Sequence, residues 1–406
     1  YSMKKIIFVI FSAGIITSVV FGGRQTIPLS IEGINTKDTL NYLEISFAFA
    51  LGQLISGAIG PVGGALSDKF GSGKTLLIGV LLSSLGLFLI PISDHAYSLA
   101  FSVGILSAGG AGIAGLPVVM SAVNKLVPPD KAGVAFGFIN AGTSVGQFVF
   151  APLAALIIVN YGWQASINAL AVLLILILPF CWVLRTLPED TGSKVVSRGH
   201  IASLSLGATL KLAFKTPSYI YLVLGFFTCG FHVAFIITHM PGIIAVCGLP
   251  PTVSGWSLAI IGFFNILGSL FAGWYISKRS MKIFLAYTYA ARAVIVILFL
   301  LSPKDGISVI LFSAALGFTY LSTVPPTAAL VGRLFGPKFM ATLFGLALFS
   351  HQIGAFIGAY LGGYFFELSG DYTVVWIIDA LIAVFAALIH LPIKEIPVQN
   401  NSEATA

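Results

Sequence analysis

The chain has 406 residues, enough for two or three soluble domains, yet only 9% of them are charged where a water-soluble protein carries about a quarter. Apolar residues make up 57% and the mean hydropathy is +1.00, so most of the chain must meet lipid or other buried helices, and a soluble enzyme is excluded. The net charge of +7 therefore bears on membrane orientation, not on nucleic acid.

Twelve apolar stretches reach the roughly 20 residues that a hydrocarbon core demands. They are α1 (5–30), α2 (41–66), α3 (74–92), α4 (96–122), α5 (132–158), α6 (163–185), α7 (217–245), α8 (251–276), α9 (283–301), α10 (306–332), α11 (339–366) and α12 (371–393). Stretches this long and uniformly apolar predict helices; barrel strands would be short and alternating. No signal-peptide cleavage pattern follows α1, which is read as a retained span. Cys181, Cys229 and Cys247 give no disulfide framework or metal spacing and are read as core fillers. No cofactor or metal is expected.

The one long polar stretch divides the spans six and six. It predicts a first six-helix bundle over 1–186, a linker over 187–216 and a second bundle over 217–406. Placing both termini and the even-numbered connections on one side gathers 17 of the 21 Lys and Arg residues there, Lys194 and Arg198 of the linker among them. The positive-inside rule makes that side cytoplasmic. Lys37 and Lys304 fall in outer loops, and Arg24 and Arg292 remain within the membrane.

The two halves repeat at an offset of 208 to 209 residues. Gly64 answers to Gly273, Lys74 to Lys282, Pro117 to Pro325, Lys125 to Arg333, Pro129 to Pro337, Gly137 to Gly345 and Gly146 to Gly354. Two apolar halves aligned by chance would match Leu and Val, but not Pro, Gly and basic residues in one register. Two homologous six-helix bundles are transporter architecture.

The α2–α3 loop, Gly64-Ala-Leu-Ser-Asp68-Lys69-Phe-Gly71-Ser-Gly-Lys74, resembles the G-x-L-x-D-[RK]-x-G-x-[RK] motif of the major facilitator superfamily. That resemblance implies a rocker-switch carrier in which α1, α4, α7 and α10 line a central cavity. Within the superfamily, GGRQTIPLSIEG in α1, INAGTSVGQFVFAPLA in α5 and GFFTCGFHVAFIITHMP in α7 resemble bacterial relatives of the monocarboxylate and oxalate:formate carriers. The helix 5 pattern of drug:proton antiporters is not met, because Gly146 is followed by Gln147 and the proline waits until Pro152. The resemblance further implies a bacterial inner-membrane protein that works as a monomer.

Gly64, Asp68, Lys69, Gly71 and Lys74 are expected to form a conformational latch, a charged turn able to lock to a neighbouring helix end in one state only. Arg24 lies about 30 Å along α1 from Lys4 at ~1.5 Å per residue. An intramembrane guanidinium marks a functional site by default, and its planar fork suits a carboxylate. The family resemblance implies that it anchors substrate; snorkelling to the outer interface or a fixed pair with Glu44 are the structural alternatives. The cavity helices contain Arg24, His232 and His239 but no acidic residue beyond the outermost turn, which favours anions over cations.

His232, His239 and His351 are candidates to hold a proton or bond the substrate. Asn140, Gln147 and Asn265 are candidates to line the site, or equally to join helices. Counted at ~1.5 Å per residue, Arg292 on α9 and Asp379 on α12 reach similar depth in a core about 30 Å thick, which predicts a buried ion pair. The sequence thus predicts an all-α secondary transporter for a small organic anion, most of all a monocarboxylate, with proton symport. Organic-anion exchange and proton-coupled export of drugs or other amphiphiles stay open as alternatives, as does a non-transporting sensor.

Overall fold

The computed structural model describes residues 3–30, 33–34, 36, 39–40, 42–186 and 204–398. Lys37, Lys194, Arg198 and most of the expected linker lie outside them. Twelve helices among the described residues are long and apolar enough to span a membrane, and no strand is present among them. They are α1 (Met3–Gly23), α2 (Tyr42–Phe70), α3 (Ser72–Leu89), α4 (Ala96–Leu126), α5 (Pro129–Tyr161), α6 (Trp163–Val183), α7 (Pro217–Val246), α8 (Pro251–Ile276), α9 (Met281–Leu301), α10 (Gly306–Phe335), α11 (Met340–Ser369) and α12 (Thr373–His390). A short helix, Leu206–Lys215, precedes α7.

Local chemistry sets the helix ends. Proline opens α5, α7 and α8, where its missing N–H is no loss. Single glycines turn the chain between α2 and α3 and between α5 and α6; Gly71 has φ 94° and Gly162 φ 90°, a region that disfavours any Cβ.

By contact grouping, the first compact unit comprises Tyr1–Pro129, Gly142–Val195 and Phe339–Gly345. The second comprises Asp130–Ala141, Val196–Lys338 and Leu346–Ala406. Within the first, Ser18 Oγ on α1 donates to Gly142 O on α5 at 2.7 Å, and Gly22 and Gly146 let the same two backbones touch. Small residues replace bulk wherever helices cross this closely in lipid. In the second, Gly230 and Gly354 do the same for α7 and α11, and Gly268 for α8 against α10. Its core is aromatic: Phe235 packs on Trp376 at 4.8 Å and Phe299 stacks on Phe312 at 4.2 Å.

Both α4 and α10 are interrupted, at positions that the repeat equates. α4 breaks at Ala114–Gly115 before Pro117. α10 breaks between Thr319 and Val324, before Pro325. Each proline sits at the second position of the resumed helix and withholds the N–H that the carbonyl four residues earlier would accept.

The α7–α11 crossing gives a direct test. A Cβ on Gly230 would overlap the His351 carbonyl, whereas one on Gly262 of α8 meets nothing within 4 Å. Gly230→Ala is expected to lower the unfolding temperature in detergent by the equivalent of ~1–3 kcal/mol. Gly262→Ala is expected to leave it unchanged or raise it, by up to ~1 kcal/mol.

Candidate functional site

Arg24 follows directly on a wide π-helical turn, Ser18–Gly23, that ends α1. Such turns recur at functional positions because they displace side chains from regular register. A guanidinium carries five N–H donors. Arg24 uses one, from Nη2 to Gly52 O on α2 at 3.3 Å, and no carboxylate among the described residues pairs with it. The expected alternative of a fixed pair with Glu44 is therefore not what holds it. A cavity of about 10 Å³, room for one water molecule, lies beside Arg24. Ser83, Leu87, Ser107, Leu170 and Leu174 line it, from α3, α4 and α6. The Gly22–Gly146 crossing brings the exposed Gln147 to the same end of α1.

Asp68 is buried near the end of α2 and reaches the first turn of α11. Its Oδ2 accepts from Thr342 N at 3.0 Å and from Thr342 Oγ1 at 2.8 Å, while Oδ1 faces Lys125 Nζ of α4 at 3.7 Å. A carboxylate here satisfies amide groups that α11 leaves open and meets the positive end of its dipole. Gly64, one turn earlier, allows α2 to approach Ala341. Gly71 is closed against the Thr186 carbonyl. Lys69 and Lys74 are exposed, and Lys69 lies over its neighbour Phe70 at 5.2 Å. The cation beside Asp68 is thus Lys125, whose signal in the sequence was its repeat partner Arg333. Thr342 carries no signal, because its backbone amide matters as much as its hydroxyl.

The second unit separates the residues that the sequence grouped. Asn140 Nδ2 donates to Ser269 Oγ and to Leu321 O, each at 2.8 Å, and Asn265 Oδ1 accepts from Leu321 N at 3.0 Å. Both asparagines are buried and hold the broken backbone of α10. His239 Nε2 bonds Ala359 O at 2.7 Å between Phe235 and Tyr372. His351 Nδ1 faces Gln352 Oε1 at 3.1 Å, and its ring packs on Phe226 at 4.8 Å.

The predicted Arg292–Asp379 ion pair is not formed. Arg292 Nε donates to Thr319 O at 3.1 Å, and Nη2 donates to Thr319 O and Tyr320 O. A fully buried cation therefore caps the carbonyls that the α10 break exposes, at the negative end of its first half. Asp379 pairs with His232, Nδ1 to Oδ2 at 2.5 Å, and neither side chain has any solvent exposure. His232 accordingly packs inside the helices of the second unit.

Residues 8–358 match the family described as Major Facilitator Superfamily. MFS transporter asaE of Aspergillus flavus is 26% identical over 336 residues, 82% of this chain and 71% of that protein. Monocarboxylate transporter 13 of Rattus norvegicus is 23% identical over 355 residues, 86% of this chain and 80% of that protein. The structure of the proton:xylose symporter XylE bound to 6-bromo-6-deoxy-D-glucose superposes with a TM-score of 0.75 over 96% of this chain and 95% of that one. Their identity is 15%, and the likeness is one of fold.

Asp68→Ala and Thr342→Val each remove part of one contact, so their effects on thermal unfolding should fall short of additive. A double-mutant cycle is expected to return a coupling of ~1–2 kcal/mol. A coupling near zero would show that the two side chains do not support each other.

Proposed function

The chain belongs to the major facilitator superfamily, a family of membrane transporters and not enzymes, and we propose that it is a secondary carrier for a small organic anion, most of all a monocarboxylate, working by alternating access with proton symport.

Arg24 carries this assignment. Its guanidinium is permanently charged, half-buried at the end of a membrane span, bonded once and paired with no described carboxylate. Four N–H donors in a planar fork remain, the number and geometry that a carboxylate uses bidentately. Gln147 at the same end of α1 offers an amide to the remaining substrate oxygen or a hydroxyl. The similarity to a relative named as a monocarboxylate transporter supports the same substrate class.

Asp68 supplies the conformational element. Its bonds to Thr342 and Lys125 close one state of the carrier, and breaking them exchanges a carboxylate–amide contact for solvation, a two-state arrangement. Substrate shifts such an equilibrium only by binding one state better. The distribution of basic residues supports both termini lying in the cytoplasm, and a bacterial inner membrane is part of the same proposal.

A thermal-shift screen of short carboxylic acids, neutral sugars and organic amines against the purified protein tests the substrate class. A ligand at 100 times its Kd raises apparent stability by about 2.7 kcal/mol. Monocarboxylates are expected to raise the unfolding temperature of the wild type, to do so weakly in Arg24→Lys and not at all in Arg24→Ala. Stabilisation by amines or sugars alone, or a monocarboxylate shift that survives Arg24→Ala, would overturn the assignment.

A further inference from the structure

His232 on α7 and Asp379 on α12 form a pair sealed from solvent, and its outer atoms are left over. His232 Nε2 and Asp379 Oδ1 are buried with no hydrogen-bond partner. A purely structural buried ion pair is ordinarily completed by further bonds on those atoms, since a half-satisfied one is costly. With one proton on the pair beyond the neutral imidazole and the carboxylate, it has zero net charge. Without that proton a bare carboxylate stays in the protein interior, which by itself is expensive.

The surroundings offset that cost. Cys229, three residues before His232 on the same face of α7, lies 3.6 Å from Arg292 Nη2, which places a permanent guanidinium charge in the same packet of helices. Arg292 Nη1 is likewise buried without a partner. With Cys229 as a neutral thiol, Arg292 and the pair together carry a formal charge of +1 when the pair is protonated and zero when it is not. The titratable and charged groups gathered around Cys229 in this packet are Tyr289 and Arg292 on α9, Tyr320 on α10, His351 on α11 and, stacked on Tyr289, His390 on α12. Arg292 is the one fixed charge among them.

We propose that the His232–Asp379 pair is the proton-binding site of this carrier: it takes one proton from water on one side of the membrane and returns it on the other. The neutral imidazole already donates its Nδ1–H to Oδ2, so the added proton is carried at Nε2 as an imidazolium–carboxylate pair, with no other bond made or broken and no change of oxidation state. Its role in coupling rests on the proton-symport reading above; proton binding by the pair does not.

Potentiometric titration of the purified protein tests the binding directly. Over the pH range in which the protein stays folded, the wild type is expected to take up about one more proton per chain than Asp379→Asn. His232→Gln should lose the same proton, and the double variant no more than either single one, because the proton belongs to the pair. Equal uptake by the wild type and a folded single variant, or additive losses, would overturn the site. Both substitutions preserve size, and either variant that retains a cooperative unfolding transition suffices.

Proteoliposomes then separate binding from coupling, with radiolabelled L-lactate as the probe. Asp379→Asn is expected to keep lactate counterflow and to lose accumulation driven by a proton gradient. Gradient-driven accumulation that persists in the variant removes the coupling role. If the wild type moves no lactate at all, the monocarboxylate reading fails while the titration result stands.

Discussion

A backbone carbonyl inside a membrane has no water to turn to, and each helical hydrogen bond that a proline removes must be replaced from within the protein. Pro325 creates that demand in the middle of α10. Arg292 answers it for Thr319 and Tyr320, and Asn140 and Asn265 answer it on the two sides of Leu321. Once Arg292 is committed to carbonyls, Asp379 needs a different partner, and His232 supplies it. One ring closure in α10 thus decides the partners of five polar side chains on α5, α7, α8, α9 and α12.

The counterpart break in α4 is handled without charge. Pro117 interrupts that helix at the equivalent position, but α2 covers it closely through Gly63, whose added Cβ would stand 2.7 Å from Ile113. The same repeat unit has therefore been finished in two ways, by tight packing in the first half and by polar caps in the second. Arg, Asp and His side chains with no solvent exposure lie in the second unit: Arg292, Asp379, His232 and His390. The first unit contributes the half-exposed Arg24.

Much of this architecture was legible in the residues. Hydropathy alone marks twelve spans, and the offset of the repeat aligns Pro117 with Pro325, the residues at which both interruptions occur. Asp68 stands out because Gly64, Lys69, Gly71 and Lys74 surround it in a motif-like spacing. What composition and depth cannot supply is the direction in which a side chain leaves its helix. Arg292 and Asp379 do lie at comparable depth, yet a count of 1.5 Å per residue carries no azimuth. Counting only side chains also hides the acceptors that mattered most, since Thr319, Tyr320, Leu321 and Gly52 act through their carbonyls. Asn140 and Asn265 posed the same difficulty: an amide on a membrane helix reads alike whether it meets a ligand or a neighbouring backbone.

The bond between Asp68 and α11 has a bearing on how this fold can drift. Half of it is made to the amide of residue 342, and every amino acid except proline brings that group. The threonine can therefore be exchanged over generations while the carboxylate keeps its foothold on the helix end. A comparison across descendants of this chain would then find strict retention at one side of the contact and free variation at the other, with proline alone excluded.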